Sequence, residues 1–542
     1  MSVYDTHRVE NQPPRMPERN AFSDDPLLQE IVEREGLTAA RGAAERLGER
    51  VGSHEVAELA RLANENTPVF RSHDRFGHRL DAIEFHPAWH ALMRLGFEHD
   101  VHGRAWRGGG RGHSERTVLF YLYNQGENGT ACPICMTAAS LPSLRFNDSL
   151  TDEWEPRILS TQYDERFVPA HEKRGAVIGM AMTEKQGGSD VQSNTTKARA
   201  TEADGEYLLT GHKWFCSSPQ ADGFLTLARL DAGLTCFFVP RFLPDGSKNR
   251  FFIQRLKNKL GNRSNPSSEI EYDRTWARRV GDPGRGVPTI INMVHHTRLD
   301  CVTGSAGMMR LALVHALHHT EHRQAFGKRL IEQPLMRSVL ADLCLEVEAA
   351  VALTFRLART YDGLSEEEAL LGRLLAPITK YWVCKRNTPM VYEALECHGG
   401  NGYVEDLPLA RLYRDAPLNG IWEGSGNVIC LDVLRALRRA PAALELLLDE
   451  LRGAKGQVAD YDRFLTGLER SFLESEELEA RARRLVEGVA LAMQASLLIR
   501  HSPSSVAAAF CQSRLGEERL LNFGGLATGK DLDSILTRAW RR

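Results

Sequence analysis

Apolar spacing changes character twice along this chain, and the order of those changes constrains the fold more than any single residue does. Residues 25–65 and 86–100 alternate apolar and charged positions at helical spacing, as in Leu28, Ile31 and Val32 or Val56, Leu59 and Ala60. Ala131 to Leu144 and Glu155 to Tyr163 continue the pattern, which predicts a mostly helical first third. Near residue 178 the texture changes. Glu206-Tyr-Leu-Leu-Thr-Gly, Gly223-Phe-Leu-Thr-Leu-Ala-Arg, Leu234-Thr-Cys-Phe-Phe-Val-Pro, Phe251-Phe-Ile-Gln-Arg-Leu and Glu269-Ile-Glu-Tyr are short apolar runs bounded by Gly, Asp or Pro. They read as strands of an all-β middle domain. From about 290 helical spacing returns in Cys301–His322, Pro334–Leu364, Glu366–Leu395 and Val428–Leu437. Pro441 then interrupts, and the last hundred residues form a further helical segment. The expectation is an α+β chain in four parts: an arm and helical domain over 1–178, a β domain over 179–288, a helical bundle over 289–440 and an additional helical domain over 441–542.

A net charge of -3 gives no global footprint for nucleic acid or an anionic membrane, so any basic surface must be local. The 42% apolar and 26% charged content is that of an ordinary globular chain. Ten cysteines scattered over 542 residues form no disulfide framework, which suggests a reducing compartment. The start, MSVYDTHRVENQPPRMPERN, lacks an apolar signal core, and no apolar run reaches membrane-spanning length. A soluble, cytoplasmic protein without a membrane partner is expected. The CxxC at Cys132-Pro-Ile-Cys135 has no second ligand pair nearby to complete a zinc site. Packed structural thiols are favoured there over a redox pair. Arg104-Ala-Trp-Arg-Gly-Gly-Gly-Arg-Gly is a basic loop, favoured as plain surface over a nucleic-acid contact.

Three segments carry chemistry. Met180-Ala-Met-Thr-Glu-Lys-Gln-Gly-Gly-Ser-Asp-Val places small residues where backbone can approach a planar or phosphorylated ligand, with the Thr183 and Ser189 hydroxyls beside it. Read alone, it serves equally as a tight β turn. Trp214-Phe-Cys-Ser-Ser suits one wall of a planar ring site, although its residues alone favour a buried strand end. Glu396-Cys-His-Gly-Gly-Asn-Gly-Tyr and Ile421-Trp-Glu-Gly-Ser-Gly-Asn are glycine-rich turns between helices, able to present N–H groups to a pyrophosphate. In the second, Glu423 adjoins Trp422. An aromatic wall favours a protonated carboxyl and suits a base for a weakly acidic proton, with helix capping as the alternative.

Together with Arg323-Gln-Ala-Phe-Gly-Lys, these segments resemble the acyl-CoA dehydrogenase superfamily in order and spacing over about 180–440. Met-Thr-Glu-Lys-Gln-Gly-Gly-Ser-Asp-Val, Ser193-Asn-Thr-Thr, Phe85-His-Pro-Ala-Trp-His, Lys259-Leu-Gly-Asn-Arg-Ser-Asn and Trp422-Glu-Gly-Ser-Gly-Asn more closely resemble its AidB-like branch, as does the C-terminal extension. The resemblance implies the acyl-CoA dehydrogenase fold, a homotetramer, and FAD between the β domain and the bundle. On that pattern Met182, Thr183, Gly188 and Ser189 line the flavin, with Trp214, Phe215, Cys216 and Ser217 beside its ring. Arg323, Phe326, Gly399 and Gly400 serve FAD across a subunit interface. Trp422, Gly424, Ser425 and Asn427 close the site. Glu396 stands where the family usually has glutamine. Glu423 matches the family's base, with its N–H polarising the thioester carbonyl, and Arg298 matches a position near the substrate. Trp422 in place of tyrosine implies a narrower pocket, and hence weak turnover of a short or branched, isovaleryl-like acyl-CoA. His315, His318, His319 and His322 share a helix face at metal-ligand spacing. Their place beside the Arg323 segment favours an interface or cofactor-side role, and no metal is assigned.

AidB-like proteins bind double-stranded DNA through basic C-terminal surface and belong to the adaptive response to alkylation. Residues 441–542 hold 14 Lys and Arg against 15 Asp and Glu, so the segment is not basic overall. Its charges are segregated: Arg481, Arg483 and Arg484 cluster, Arg435, Arg438 and Arg439 precede Pro441, and Arg538, Arg541 and Arg542 end the chain. Arg514 and Arg519 are further candidates. Charge alone favours an ordinary solvated surface, and the resemblance reverses that preference. The expected function is an FAD-containing protein that binds duplex DNA and protects it from alkylation, with weak dehydrogenase activity. The alternatives are a genuine acyl-CoA dehydrogenase whose tail serves assembly, and a flavin scaffold without turnover.

Overall fold

The structure is a computed structural model that describes residues 6–107, 109–474, 476–517, 519–526 and 531–540. In its first third, helical spacing becomes α1 (Pro26–Arg34), α2 (Thr38–Val51), α3 (His54–Glu65), α4 (Pro87–Glu98), α5 (Gly112–Gly126), α6 (Ala131–Leu144) and α7 (Asp148–Ile158). Asp25 and Ser53 cap α1 and α3 by accepting from Leu28 N and Val56 N, which fixes where those helices begin. Two features depart from the expectation. A hairpin, β1 (Val69–His73) with β2 (Arg79–Glu84), interrupts the helices. The last helix also stops at Ile158 rather than running to Tyr163. Helix α5 is buried on almost every side from Arg116 to Gly126, so it lacks the polar face that betrays a helix in sequence.

The basic loop before α5 is a structural joint. Arg104 pairs with Glu115 at 2.6 Å, Arg107 with Asp100 at 2.8 Å and Arg111 with Asp362 at 3.1 Å, so its guanidinium groups are engaged internally.

Strands β3 (Ile178–Ala181), β4 (Lys197–Ala200), β5 (Glu206–Ser217), β6 (Gly223–Leu230), β7 (Gly233–Pro240), β8 (Phe251–Leu256) and β9 (Ser267–Val280) make one sheet in the order β3-β6-β4-β5-β9-β7, with β8 on β9. Pairing of β6 with β7 closes it on itself. The register of β5 against β9 shifts between Lys213 and Cys216. Such a bulge re-aims side chains, and this one lets two successive aromatic residues, Trp214 and Phe215, reach the same cavity.

Helix α8 (Gly286–His322) then spans 37 residues and packs with α9 (Pro334–Arg359) and α10 (Glu366–Glu396) as a bundle. Short helices α11 (Gly400–Tyr403) and α12 (Leu409–Asp415) lead to α13 (Gly426–Arg439). Pro441 opens α14 (Pro441–Arg452) at its first turn, where a missing N–H costs nothing. After it come α15 (Ala459–Leu473), α16 (Ala482–His501), α17 (Ser504–Leu515) and α18 (Leu532–Ala539). The tail shares the bundle's core: Leu485, Val489 and Leu498 of α16 belong to the same buried cluster as Leu374 and Trp382 of α10. Trp382 Nε1 donates to Gln494 Oε1 at 2.8 Å across that contact. Among the described residues, no helix is long and apolar enough to cross a membrane.

Candidate active site

A cavity of about 770 Å³ opens between the β sheet, α5, α6, α8 and the turn before α13. Its sheet side is built from the loop after β3. Met182, Thr183, Gly188 and Ser189 line it. A Cβ at Gly188 would sit 3.0 Å from the Thr183 side chain, so the turn tolerates little else there. Glu184 holds this loop from behind. Its carboxylate accepts from Thr195 N at 2.7 Å, Thr196 N at 3.2 Å and Lys213 Nζ at 2.8 Å, and both charged side chains are fully buried. Trp214, Phe215 and Ser217 continue the wall. Lys257 Nζ lies 3.2 Å from the centroid of the Trp214 ring, a cation–π contact that steadies the indole.

Cys216 departs from the expectation. It is fully buried, does not line the cavity, and burial pushes its thiol up to about 12. The bulge carries its neighbours outward, while Cys216 itself remains in the sheet interior.

The opposite wall comes from α8 and the turn at residues 422–425. Glu423 sits at φ 58° and Gly424 at φ 107°, left-handed backbone that is costly for a glutamate. Three cation contacts hold the turn. Lys380 Nζ donates to Trp422 O at 2.8 Å and to Gly424 O at 2.5 Å, and Arg298 Nε donates to Glu423 O at 3.2 Å. Arg298 is itself oriented by Asp432 at 2.6 Å. The Glu423 carboxyl is thereby presented inside the cavity, where Oε2 is buried without a hydrogen-bond partner. Burial raises its pKa, against the lowering effects of Thr297, Arg298 and Lys380. Trp422, Gly424, Ser425 and Arg298 line the same space. Asn427 does not; its Oδ1 accepts from Arg483 Nε at 2.8 Å beside the turn.

Sequence reasoning missed Lys380, Thr297 and Asp432. The signal for Lys380 was a lone charge within Pro377-Ile-Thr-Lys-Tyr-Trp-Val-Cys, an otherwise uncharged stretch of α10. Cys132 and Cys135 are free and both line the cavity, and burial raises both thiols, Cys132 to about 12. Lys259 lines it too, and burial lowers its pKa to about 8.

Other expected residues lie elsewhere. Arg323 donates to Asn11 O in the N-terminal arm, Phe326 is 99% exposed, and a Cβ at Gly399 or Gly400 would meet nothing within 4 Å. Of the four histidines near the end of α8, His318 and His322 have ring centroids 4.5 Å apart, with His318 Nε2 near Pro14 O at 2.9 Å and His322 Nδ1 near His318 O at 2.8 Å, while His319 packs on His398. Of the arginines considered for DNA, Arg435, Arg438, Arg439, Arg483, Arg484 and Arg519 are exposed. Arg481 is half-buried and pairs with Glu474 at 2.5 Å. Arg514 is withdrawn from such a surface, paired with Asp342 at 2.5 Å and Glu346 at 3.1 Å against α9. Arg538 is likewise engaged by Glu30 and Glu348, and Arg541 and Arg542 lie outside the described residues.

The family model described as the adaptive response protein AidB N-terminal domain matches residues 11–165. The acyl-CoA dehydrogenase middle and C-terminal domain models match 179–275 and 284–438. The putative acyl-CoA dehydrogenase AidB of Escherichia coli is 44% identical over 517 residues, which cover 94% of this chain and 95% of that protein.

The chain belongs to the AidB branch of the acyl-CoA dehydrogenase family.

Solved structures agree on the fold. Caenorhabditis elegans ACDH-11 in complex with C11-CoA superposes with a TM-score of 0.85 at 28% identity, covering 96% of this chain and 95% of that one. An acyl-CoA dehydrogenase complexed with FAD from Bacillus anthracis gives 0.69 at 19% identity, covering 88% and 86%. The Glu423 cavity of this AidB-family chain therefore sits in an acyl-CoA dehydrogenase fold. Its donor set suits a flavin: a small-residue loop permits close approach, two aromatic side chains offer a wall, and the unpartnered Glu423 oxygen faces a buried space.

Proposed function

We propose that this chain binds FAD in the Glu423 cavity and slowly oxidises a short or branched acyl-CoA across its α–β bond. The observation that carries this reading is the Glu423 carboxyl, buried and half-unpartnered in the cavity that also contains the Met182–Ser189 loop and Trp214. Glu423 takes the α proton, and its own backbone N–H polarises the thioester carbonyl. Bound FAD supplies the hydride acceptor. Lys380 and Arg298 keep the turn in the conformation that presents the carboxyl. The two relatives, a putative acyl-CoA dehydrogenase and ACDH-11 in complex with C11-CoA, support an acyl-CoA ligand.

Trp422 decides chain length in this reading. Its Nε1 donates to Asn419 Oδ1 at 2.9 Å, which holds the indole in the cavity and leaves less space for an acyl tail. Anaerobic bleaching of the yellow protein is expected to be faster with isovaleryl-CoA than with lauroyl-CoA. Equal or faster bleaching by lauroyl-CoA would remove the narrow-pocket argument, and no bleaching by either would favour a flavin scaffold.

A second role, non-specific binding of duplex DNA in protection from alkylation, is supported by exposed arginines. Arg435, Arg438 and Arg439 lie on α13 and Arg483 and Arg484 on α16, and these two helices pack together. Phosphate neutralisation by such a surface gives affinity without base readout. Arg438, Arg439 and Arg484 changed together to Ala are expected to weaken binding and flatten its salt dependence by roughly 0.9 per lost phosphate contact on log–log axes. Wild-type protein that fails to bind duplex DNA at low salt would end this reading. A homotetramer belongs to the same proposal, supported by the exposed apolar side chains Phe326, Leu335 and Tyr403.

A further inference from the structure

A second cavity, of about 1020 Å³, lies along the C-terminal half of α8, enclosed by the N-terminal arm, α3 and α12. Its lining shares no residue with the Glu423 cavity. Deep in its wall, Arg19 Nη1, Gln125 Nε2 and Arg411 Nε are buried without hydrogen-bond partners. These groups belong to one connected set. Arg19 Nη2 donates to Gln125 Oε1 at 3.3 Å, and Arg411 Nη2 donates to the carbonyl of the next residue, Gly126, at 3.3 Å.

The nearby carboxylates make their close contacts with other groups, while Asp24 and Asp25 act on Arg19, and Glu127 and Asp415 on Arg411, at longer range. Asp25 is held by Arg310 at 3.3 Å and Tyr121 at 2.9 Å, and Glu127 by Thr130 and Ser264. On the rim, Glu405 pairs with Arg414, and Glu58 and Glu65 pair with Arg61. Among the described residues, neither the Arg19 nor the Arg411 guanidinium has a carboxylate in contact. Each guanidinium nevertheless keeps one buried donor without an acceptor, and a buried donor left unpaired is costly. Two of the histidines beside them do not add to the charge: burial, reinforced by neighbouring cationic and imidazole groups, holds His315 well below its ordinary value and His319 at about 4.

We propose that this cavity binds a phosphorylated small molecule other than FAD, its phosphoryl group seated between Arg19, Gln125 and Arg411. Two guanidinium groups match the charge of a phosphate monoester dianion, and their planar forks present paired donors to its oxygens. The cavity volume leaves room for more than the phosphoryl group alone, and the imidazoles of His315, His319 and His398 line it.

The probe is AMP, titrated calorimetrically into the full chain with saturating FAD present throughout, and adenosine is the control. AMP is expected to bind and adenosine not to. Arg19→Gln and Arg411→Gln should each weaken AMP at least tenfold and suppress the rise in melting temperature that AMP produces. Arg411 also acts on the buried Glu127 and Asp415 carboxylates, so Arg411→Lys, which keeps the charge and loses the planar fork, is the companion variant: without AMP it should melt as wild type does, and it should still weaken AMP, whereas a purely structural arginine would leave AMP binding unchanged. Gln125→Leu, which carries no charge change, should weaken AMP in the same direction. Failure of AMP to bind, equal binding of AMP and adenosine, or undiminished binding in the variants would overturn the proposal.

Discussion

Glu423→Gln is expected to slow flavin bleaching by an acyl-CoA by about 10²–10⁴-fold, the usual worth of a positioned general base, while FAD remains bound. Glutamine keeps the side-chain volume and polarity, so the left-handed turn and its contacts with Lys380 and Arg298 survive. Only the capacity to accept the α proton is lost. The same carboxyl predicts a pH dependence. Burial raises its pKa above the ordinary glutamate value, and the base is the deprotonated form. Turnover should therefore be full at pH values above that raised pKa and fall as the pH drops through it. Stopped-flow bleaching of wild type and variant across pH measures both effects. Bleaching by Glu423→Gln at the wild-type rate would dismiss Glu423 as the base.

Lys213→Met is expected to destabilise the chain by about 3–5 kcal/mol, because it leaves a buried carboxylate without its cation. Lys213 and Glu184 both have 0% side-chain exposure. Burial lowers the Lys213 pKa to about 8 even with its partner present. For Glu184, burial acts to raise the pKa, but Lys213 and the backbone and hydroxyl donors outweigh it and hold the group at about 2. The pair secures the loop that carries Thr183, Gly188 and Ser189, so the variant should also lose FAD more readily on dilution. Lys213→Met combined with Glu184→Gln should recover part of the stability, since no unpaired charge remains and the amide oxygen can still accept from the Thr195–Thr196 backbone. Urea unfolding followed by circular dichroism gives the comparison. A single variant that loses less than about 1 kcal/mol, the worth of an ordinary exposed pair, would show that the ion pair is not holding the loop.

Much of the site was legible before any coordinates. The glycines and small polar residues around Thr183, Ser189 and Glu423 mark places where backbone must turn tightly, and those turns do line one cavity. Other residues escaped because their roles depend on distant partners. Lys380 lies 42 residues before the Trp422 carbonyl it holds. Arg514 looked like one more surface cation until α17 brought it against Asp342 and Glu346. Cys216 was grouped with Trp214 and Phe215 because strand alternation alone does not reveal a register shift. The Cys132-Pro-Ile-Cys135 spacing fits packed thiols or a redox pair, and nothing local in it places both residues in the cavity.

The sequence by itself determined the order of helical and β segments, the family, and the turns that carry the candidate chemistry. Those features are written in local periodicity and in residues whose backbone freedom or side-chain type is needed where they stand. Only the tertiary structure decided which cations clamp the Glu423 turn, which arginines reach solvent, and that Arg19, Gln125 and Arg411 share a second cavity. Each of those depends on pairings between residues far apart in the chain, and a pairing has no signature in either partner's local sequence.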